Sequence, residues 1–127
     1  MADTYESDIN YKFSLANGEN ITLDKYESNA ISQNIYASVE NKNLKERYDI
    51  LLRGQDDLGN KVEFYVSRGR EAYIDFQYDN YDRNIADNAK TIILTPYAVK
   101  IPEKSGKMPD RDEYVKVGEE FSINLNK

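Results

Sequence analysis

The sequence predicts an all-β domain, an antiparallel β-sandwich of seven to eight strands. Three observations predict it. Apolar residues alternate with polar ones in short runs spaced about ten residues apart. Turn-forming residues separate the runs, and eleven tyrosines enrich a chain that has no long helical pattern. Only residues 41–47 and 84–89 offer a turn of helix, and neither is amphipathic over any length. A sandwich is preferred to a barrel because strand number and spacing match it and each strand has one polar face.

The first run places Ile9, Tyr11, Phe13 and Leu15 on one face, and Asn17-Gly18 then supplies a turn able to take positive φ. This 9–15 segment reads as an added edge strand. Ile21 and Leu23 form a short second strand ending near Tyr26, and Ile31, Ile35, Ala37 and Val39 line a third. Tyr48, Ile50 and Leu52 line a fourth. Asp57-Leu58-Gly59-Asn60 connects it as a hairpin to Val62, Phe64 and Val66, with Glu63 and Tyr65 facing outward. Ser67-Arg68-Gly69-Arg70 turns the chain into Ala72, Ile74 and Phe76. A polar connection, 79–89, precedes the most apolar run, Thr91-Ile92-Ile93-Leu94. Ile92 and Leu94 are even-numbered, whereas Val99 and Ile101 are odd, so the phase is expected to slip. Pro96 lies between them and lacks a ladder donor, which predicts a bulge or an edge position there. A Pro/Gly/charge loop, 102–113, leads to the last strand, where Phe121, Ile123 and Leu125 face inward.

Composition bounds the function. At 127 residues the chain makes one domain that buries roughly two-thirds of its unfolded surface. A net charge of −6 argues against nucleic acid and against an anionic membrane surface, since both need clustered Lys and Arg. Without cysteine there is no disulfide framework and no thiol chemistry, and without histidine there is no imidazole base, no Ser-His-Asp triad and no usual zinc cluster. Most of the 23 acidic residues fall at outward strand positions or turns, where solvated charge explains them better than an acid–base pair does. No enzyme and no cofactor are expected. No apolar stretch approaches the ~20 residues of a membrane span. The acidic opening Met1-Ala2-Asp3-Thr4-Tyr5-Glu6 is no signal peptide, and it suits a native start as well as a domain excised from a longer chain.

Four features are candidates for function. Asp79, Asp82, Asn84 and Asp87 concentrate oxygen ligands of the kind calcium takes, but Arg83 intrudes and the EF-hand Gly and Glu are missing. Asn and Asp also serve any long connection as turn and capping residues, which is the first reading of this loop. Tyr36 and Tyr65 sit opposite the apolar faces of their strands, and Tyr26, Tyr73, Tyr81 and Tyr114 are further rings that an exposed stacking platform would use. Core and cross-strand packing accounts for most of them. The 102–113 loop is long for a hairpin, and Lys104, Lys107, Met108 and Arg111 are its candidate contacts for a partner. Asn20-Ile21-Thr22 is a glycosylation triplet of a kind that arises easily by chance in a chain with thirteen asparagines.

The run from Lys90 to Val99, the segments Lys104-Ser105-Gly106-Lys107 and Val117-Gly118-Glu119-Glu120-Phe121, and the stretches Gly18 to Lys25 and Asp57 to Lys61 carry a family likeness. Together, over residues 18–125, they resemble the uncharacterised immunoglobulin-like domain at the outer, C-terminal end of membrane-anchored, anti-sigma-factor-like Firmicutes proteins. The resemblance implies an immunoglobulin-like sandwich and carries no catalytic residues. It implies an extracellular or cell-surface location, as part of a membrane-anchored parent, and a non-enzymatic sensory or spacer role. The partner would be a protein or a cell-envelope ligand, reached through loops at one end or an exposed strand edge; nucleic acid and direct membrane insertion are not expected. The alternative is an adhesion-type module for carbohydrate or protein, with the 79–88 loop ordered by calcium.

Overall fold

Alternating β-branched and aromatic residues bury one face of each segment and leave the other to water, which is what a strand requires. The computed structural model describes residues 5–28, 33–43, 45–69, 72–78, 89–101 and 111–125, with only the backbone of Arg111. The described residues form nine strands: β1 (Tyr5–Ser14), β2 (Asn20–Ser28), β3 (Gln33–Glu40), β4 (Tyr48–Asp56), β5 (Lys61–Gly69), β6 (Tyr73–Tyr78), β7 (Thr91–Lys100), β8 (Val115–Lys116) and β9 (Phe121–Asn124). A 3-10 turn at Arg111–Glu113 precedes the two-residue β8. The architecture is all-β and antiparallel, as the patterning predicts.

The order is β1-β2-β3-β6-β5-β4-β7-β8, with β9 also pairing β7. The meander β4-β5-β6 is thus inserted between β3 and β7, a Greek-key arrangement. The sheet curls until β1 meets β9, giving a sandwich-like, nearly closed barrel. Backbone pairing does not join those two strands. Tyr5 donates its hydroxyl to the Asn124 carbonyl at 2.8 Å, and Tyr11 donates to the Glu119 carbonyl at 2.7 Å. The Tyr11 and Phe121 rings stack beside them, centroids 4.8 Å apart.

Ile21, Leu23, Ile35, Leu52, Phe64, Phe76, Ile92 and Leu94 form the centre of the core. Each such burial contributes about 1.5–3 kcal/mol before chain entropy is counted. Gly18 and Gly59 take φ of 93° and 89°, so both expected turns use the left-handed freedom of glycine.

Four local expectations are overturned. Tyr26 is in the core, edge-on to Phe64 at 6.3 Å, and is not an exposed ring. A register shift between Leu23 and Lys25 switches the inward phase from odd to even, which carries Tyr26 inside. On β7 the expected slip is absent: Ile92, Leu94, Pro96 and Ala98 are all buried, and pairing with β4 runs unbroken from Tyr48↔Lys100 to Asp56↔Ile92. Pro96 is tolerated because β9 pairs Thr91 to Leu94 and β8 pairs Tyr97 and Ala98, leaving a break opposite the proline. Its carbonyl accepts from Val117 N at 3.0 Å, so its missing donor also faces that break. The connection 41–47 contains no helical turn among its described residues. Asn43 Oδ1 takes the backbone donors of Lys45 and Glu46 at 2.9 and 3.0 Å, which competes with helix formation. Finally, Glu63 is on the outer face as expected, but it is buried there.

Candidate functional site

Strand β4 points Ile50 and Leu52 inward, so Asp49, Leu51, Arg53 and Gln55 belong to its outer face. Solvent should cover that face. Instead Leu51 is only 7% exposed and Glu63, from β5, only 4%. Arg53 and two tyrosines lie over this part of the face. Arg53 pairs directly with Glu63 across the ladder, its Nε 4.0 Å from the carboxylate. The Arg53 guanidinium lies 5.3 Å from the Tyr97 ring centroid and 5.5 Å from that of Tyr114. Tyr114 donates its hydroxyl to Asp49 Oδ2, which holds the ring over β4.

Cation–π contacts of this partly buried kind contribute about 0.5–2 kcal/mol each. They also fix a charged group against an aromatic surface. Across the three strands Tyr97, Leu51 and Tyr65 lie in one register row, and Tyr65 is 39% exposed. Beside the row is a shallow basin of about 600 Å³ lined by Arg53, Gly54, Gln55, Ile93, Thr95, Tyr97 and Glu120. Ile93 is exposed at its edge. The result is an aromatic and guanidinium surface with a buried ion pair beneath it.

A second concavity of about 630 Å³ occupies one end of the barrel. Ile50, Val66, Ile74 and Ile101 give it an apolar floor, and Glu19, Lys42, Asn43, Arg47, Tyr48 and Asp49 are on its walls. The wall is built by a clasp between the β1–β2 turn and the β3–β4 connection. Glu19, buried, accepts from the Asn43 backbone at 3.0 Å and from Asn17 Nδ2 at 3.1 Å. Asn17 Nδ2 also donates to the Glu46 carbonyl at 2.6 Å, and Asn43 Nδ2 donates to the Asn17 carbonyl at 3.0 Å.

The sequence candidates fare differently. Asp79, Asp82, Asn84, Asp87, Tyr81, Lys104, Lys107 and Met108 lie outside the described residues, and Arg111 opens the 3-10 turn. Among the described residues no group of three or more potential metal-ligating acids is found, and no helix is long and apolar enough to cross a membrane. Tyr65 and Tyr73 are exposed, as their strand phase predicts. Tyr36 is half-buried, donating to Glu27 at 3.3 Å with Lys25 Nζ 5.6 Å from its ring. Burial, followed by the Glu27 carboxylate, pushes its phenol above the usual tyrosine range. Asn20 starts β2 and accepts from Ser14 Oγ at 2.7 Å. Reading along the chain missed Arg53 and Tyr97, because their meeting depends on the register of β4 against β5 and β7. The one available signal was a lone arginine at an outward position in a strand otherwise flanked by apolar residues.

Comparison with known proteins adds family and fold. A family of unknown function, DUF5643, matches residues 4–125. The crystal structure of the conserved domain protein from Bacillus anthracis is similar over 98% of this chain, with a TM-score of 0.62 and 19% sequence identity. At that identity the likeness concerns the fold. This chain spans 50% of the length of that structure. No curated protein matches the chain.

Proposed function

The chain belongs to DUF5643, a family of unknown function, and from that premise we propose that it is a non-enzymatic binding module. It would serve as the extracytoplasmic sensory or spacer part of a membrane-anchored, anti-sigma-factor-like regulator. Its recognition surface is the outer face of β5, β4 and β7. The observation that carries this reading is Arg53 held between Tyr97 and Tyr114, next to exposed Tyr65 and Ile93. Aromatic residues and arginine are the types enriched at protein interfaces, and rings fixed in advance lose little entropy on binding.

The partner in this reading is another domain of the parent protein or a cell-envelope ligand. A sensory role then needs two states of the parent that differ in this contact. Amide hydrogen exchange tests the surface, comparing the isolated domain with the same domain in its whole native protein. Added protection over Leu51 to Arg53, Glu63 to Tyr65 and Ile93 to Tyr97 is the expected result. Equal exchange in both settings removes the surface from the account.

A further inference from the structure

The cleft at the end of the barrel is set apart from the aromatic face by its chemistry. Barrel mouths are common ligand sites, and about 630 Å³ falls within the range of small-molecule pockets. Its floor is aliphatic: Ile50, Val66, Ile74 and Ile101. Two acids and two bases line it. The acids are already committed, Glu19 to the Asn43 and Asn17 donors and Asp49 to the Tyr114 hydroxyl. The bases are not. Among the described residues, neither Lys42 nor Arg47 has an ion-pair partner, in a chain of net charge −6 that offers many acids.

We infer that this cleft binds a small amphipathic anion, an apolar chain of several carbons ending in a carboxylate or phosphate head. The chain would displace water from the aliphatic floor, and the head would take the donors of Lys42 and Arg47 at the rim. A cationic ligand would meet two positive charges at the rim, and the acids there already hold donors, Glu19 two and Asp49 one. Among the described residues, a sugar ring would find Tyr48 as the single aromatic ring in the lining. The inference is independent of the proposed docking surface on β5, β4 and β7.

The test is an NMR titration of the ¹⁵N-labelled domain with sodium octanoate. Octyl phosphate, octyl glucoside, acetate and inorganic phosphate serve as comparison probes. Octanoate is expected to give saturable shifts at Ile50, Val66, Gly69, Ile74 and Ile101, and octyl phosphate to act at the same amides. The Lys42→Ala/Arg47→Ala double variant should bind octanoate about tenfold more weakly, the loss expected for charge-assisted contacts at a rim. Its melting temperature should match wild type, since both side chains are exposed and, among the described residues, have no ion-pair partner. Octyl glucoside binding as tightly as octanoate would overturn the anionic part. Acetate or phosphate binding as tightly would overturn the apolar part. Absence of saturable shifts, or undiminished binding by the double variant, would overturn the site itself.

Discussion

Gly54→Ala is expected to be among the most damaging single-methyl changes in the molecule. Gly54 sits in the middle of the sheet, opposite Val62 on one side and Leu94 on the other. A Cβ built there falls 1.7 Å from the Ile93 carbonyl oxygen, 2.7 Å from its carbon and 2.9 Å from Leu94 Cα. All three are backbone atoms, so no rotamer change relieves the clash. Strand β7 must retreat until 1.7 Å becomes at least 3.0 Å, a large fraction of one hydrogen-bond length. Overpacking strain of about 1–3 kcal/mol adds to about 1 kcal/mol for each of two stretched ladder bonds. The total is about 3–5 kcal/mol, which for a domain of this size lowers the melting midpoint by roughly 15 °C.

Thermal and urea melts followed by circular dichroism measure it, with an unchanged urea slope confirming two-state unfolding. Gly118→Ala is the internal comparison. Its Cβ meets side-chain atoms, Tyr11 Oη at 2.7 Å, Pro96 Cγ at 2.8 Å and Phe13 Cβ at 3.1 Å, of which the tyrosine hydroxyl can move by giving up its bond to the Glu119 carbonyl. It should cost about 1–2 kcal/mol. A Gly54→Ala protein melting within about 2 °C of wild type, or less damaged than Gly118→Ala, would refute the geometry of the β4–β7 pairing.

Three further outcomes are expected. Arg53→Ala should destabilise by about 2–3 kcal/mol, because Glu63 loses its cover and its cation, and adding Glu63→Gln should recover part of that loss; urea melts of both variants measure this, and a double variant no better than the single one counts against a buried pair. Glu19→Ala should cost about 2–3 kcal/mol and speed hydrogen exchange at the Asn43 amide, since that donor loses its acceptor and Asn17 Nδ2 keeps only the Glu46 carbonyl; unchanged exchange would show that the clasp is not what holds the connection. Asp57 accepts from the Lys90 backbone at 2.9 Å, and that bond, followed by the weaker one from Thr91, holds its carboxyl below the usual range. A depressed carboxylate stabilises the fold above its unfolded value of about 3.9 and loses that contribution as pH falls through the lower folded value. Melting temperatures measured down to the acid limb should therefore fall more steeply below about pH 4 for wild type than for Asp57→Asn, and parallel curves would contradict the assignment.

How far the fold was legible depends on whether its cause is local. Val62, Phe64 and Val66 keep strict alternation, and Gly18 and Gly59 sit where turns demand positive φ, so those strands and turns could be read directly. Tyr26 could not, because a bulge leaves no mark in composition and reverses the inward face after Leu23. Pro96 looked like an interruption of β7. Its compatibility depends on where β8 and β9 stop, information held about twenty residues downstream. Asn43 shows the same limit within one loop, its side chain replacing the helical bonds that spacing alone permits. For the site, polar and basic loops drew attention because loops often carry function. The arrangement of Arg53, Tyr97 and Tyr114 arises from strand pairing between segments far apart in sequence, and only the register brings it together.

The central claim is that this domain works outside the membrane, as part of an anchored parent protein. Its lack of cysteine makes a direct measurement available. Leu58→Cys in the full native protein, with any cysteine elsewhere in the parent replaced by serine, places one thiol at a hairpin tip where the wild-type side chain is 48% exposed. A membrane-impermeant maleimide is then applied to intact cells and to lysed ones. The account predicts equal labelling in both. Labelling that appears only after lysis would contradict it and put the domain in the cytoplasm.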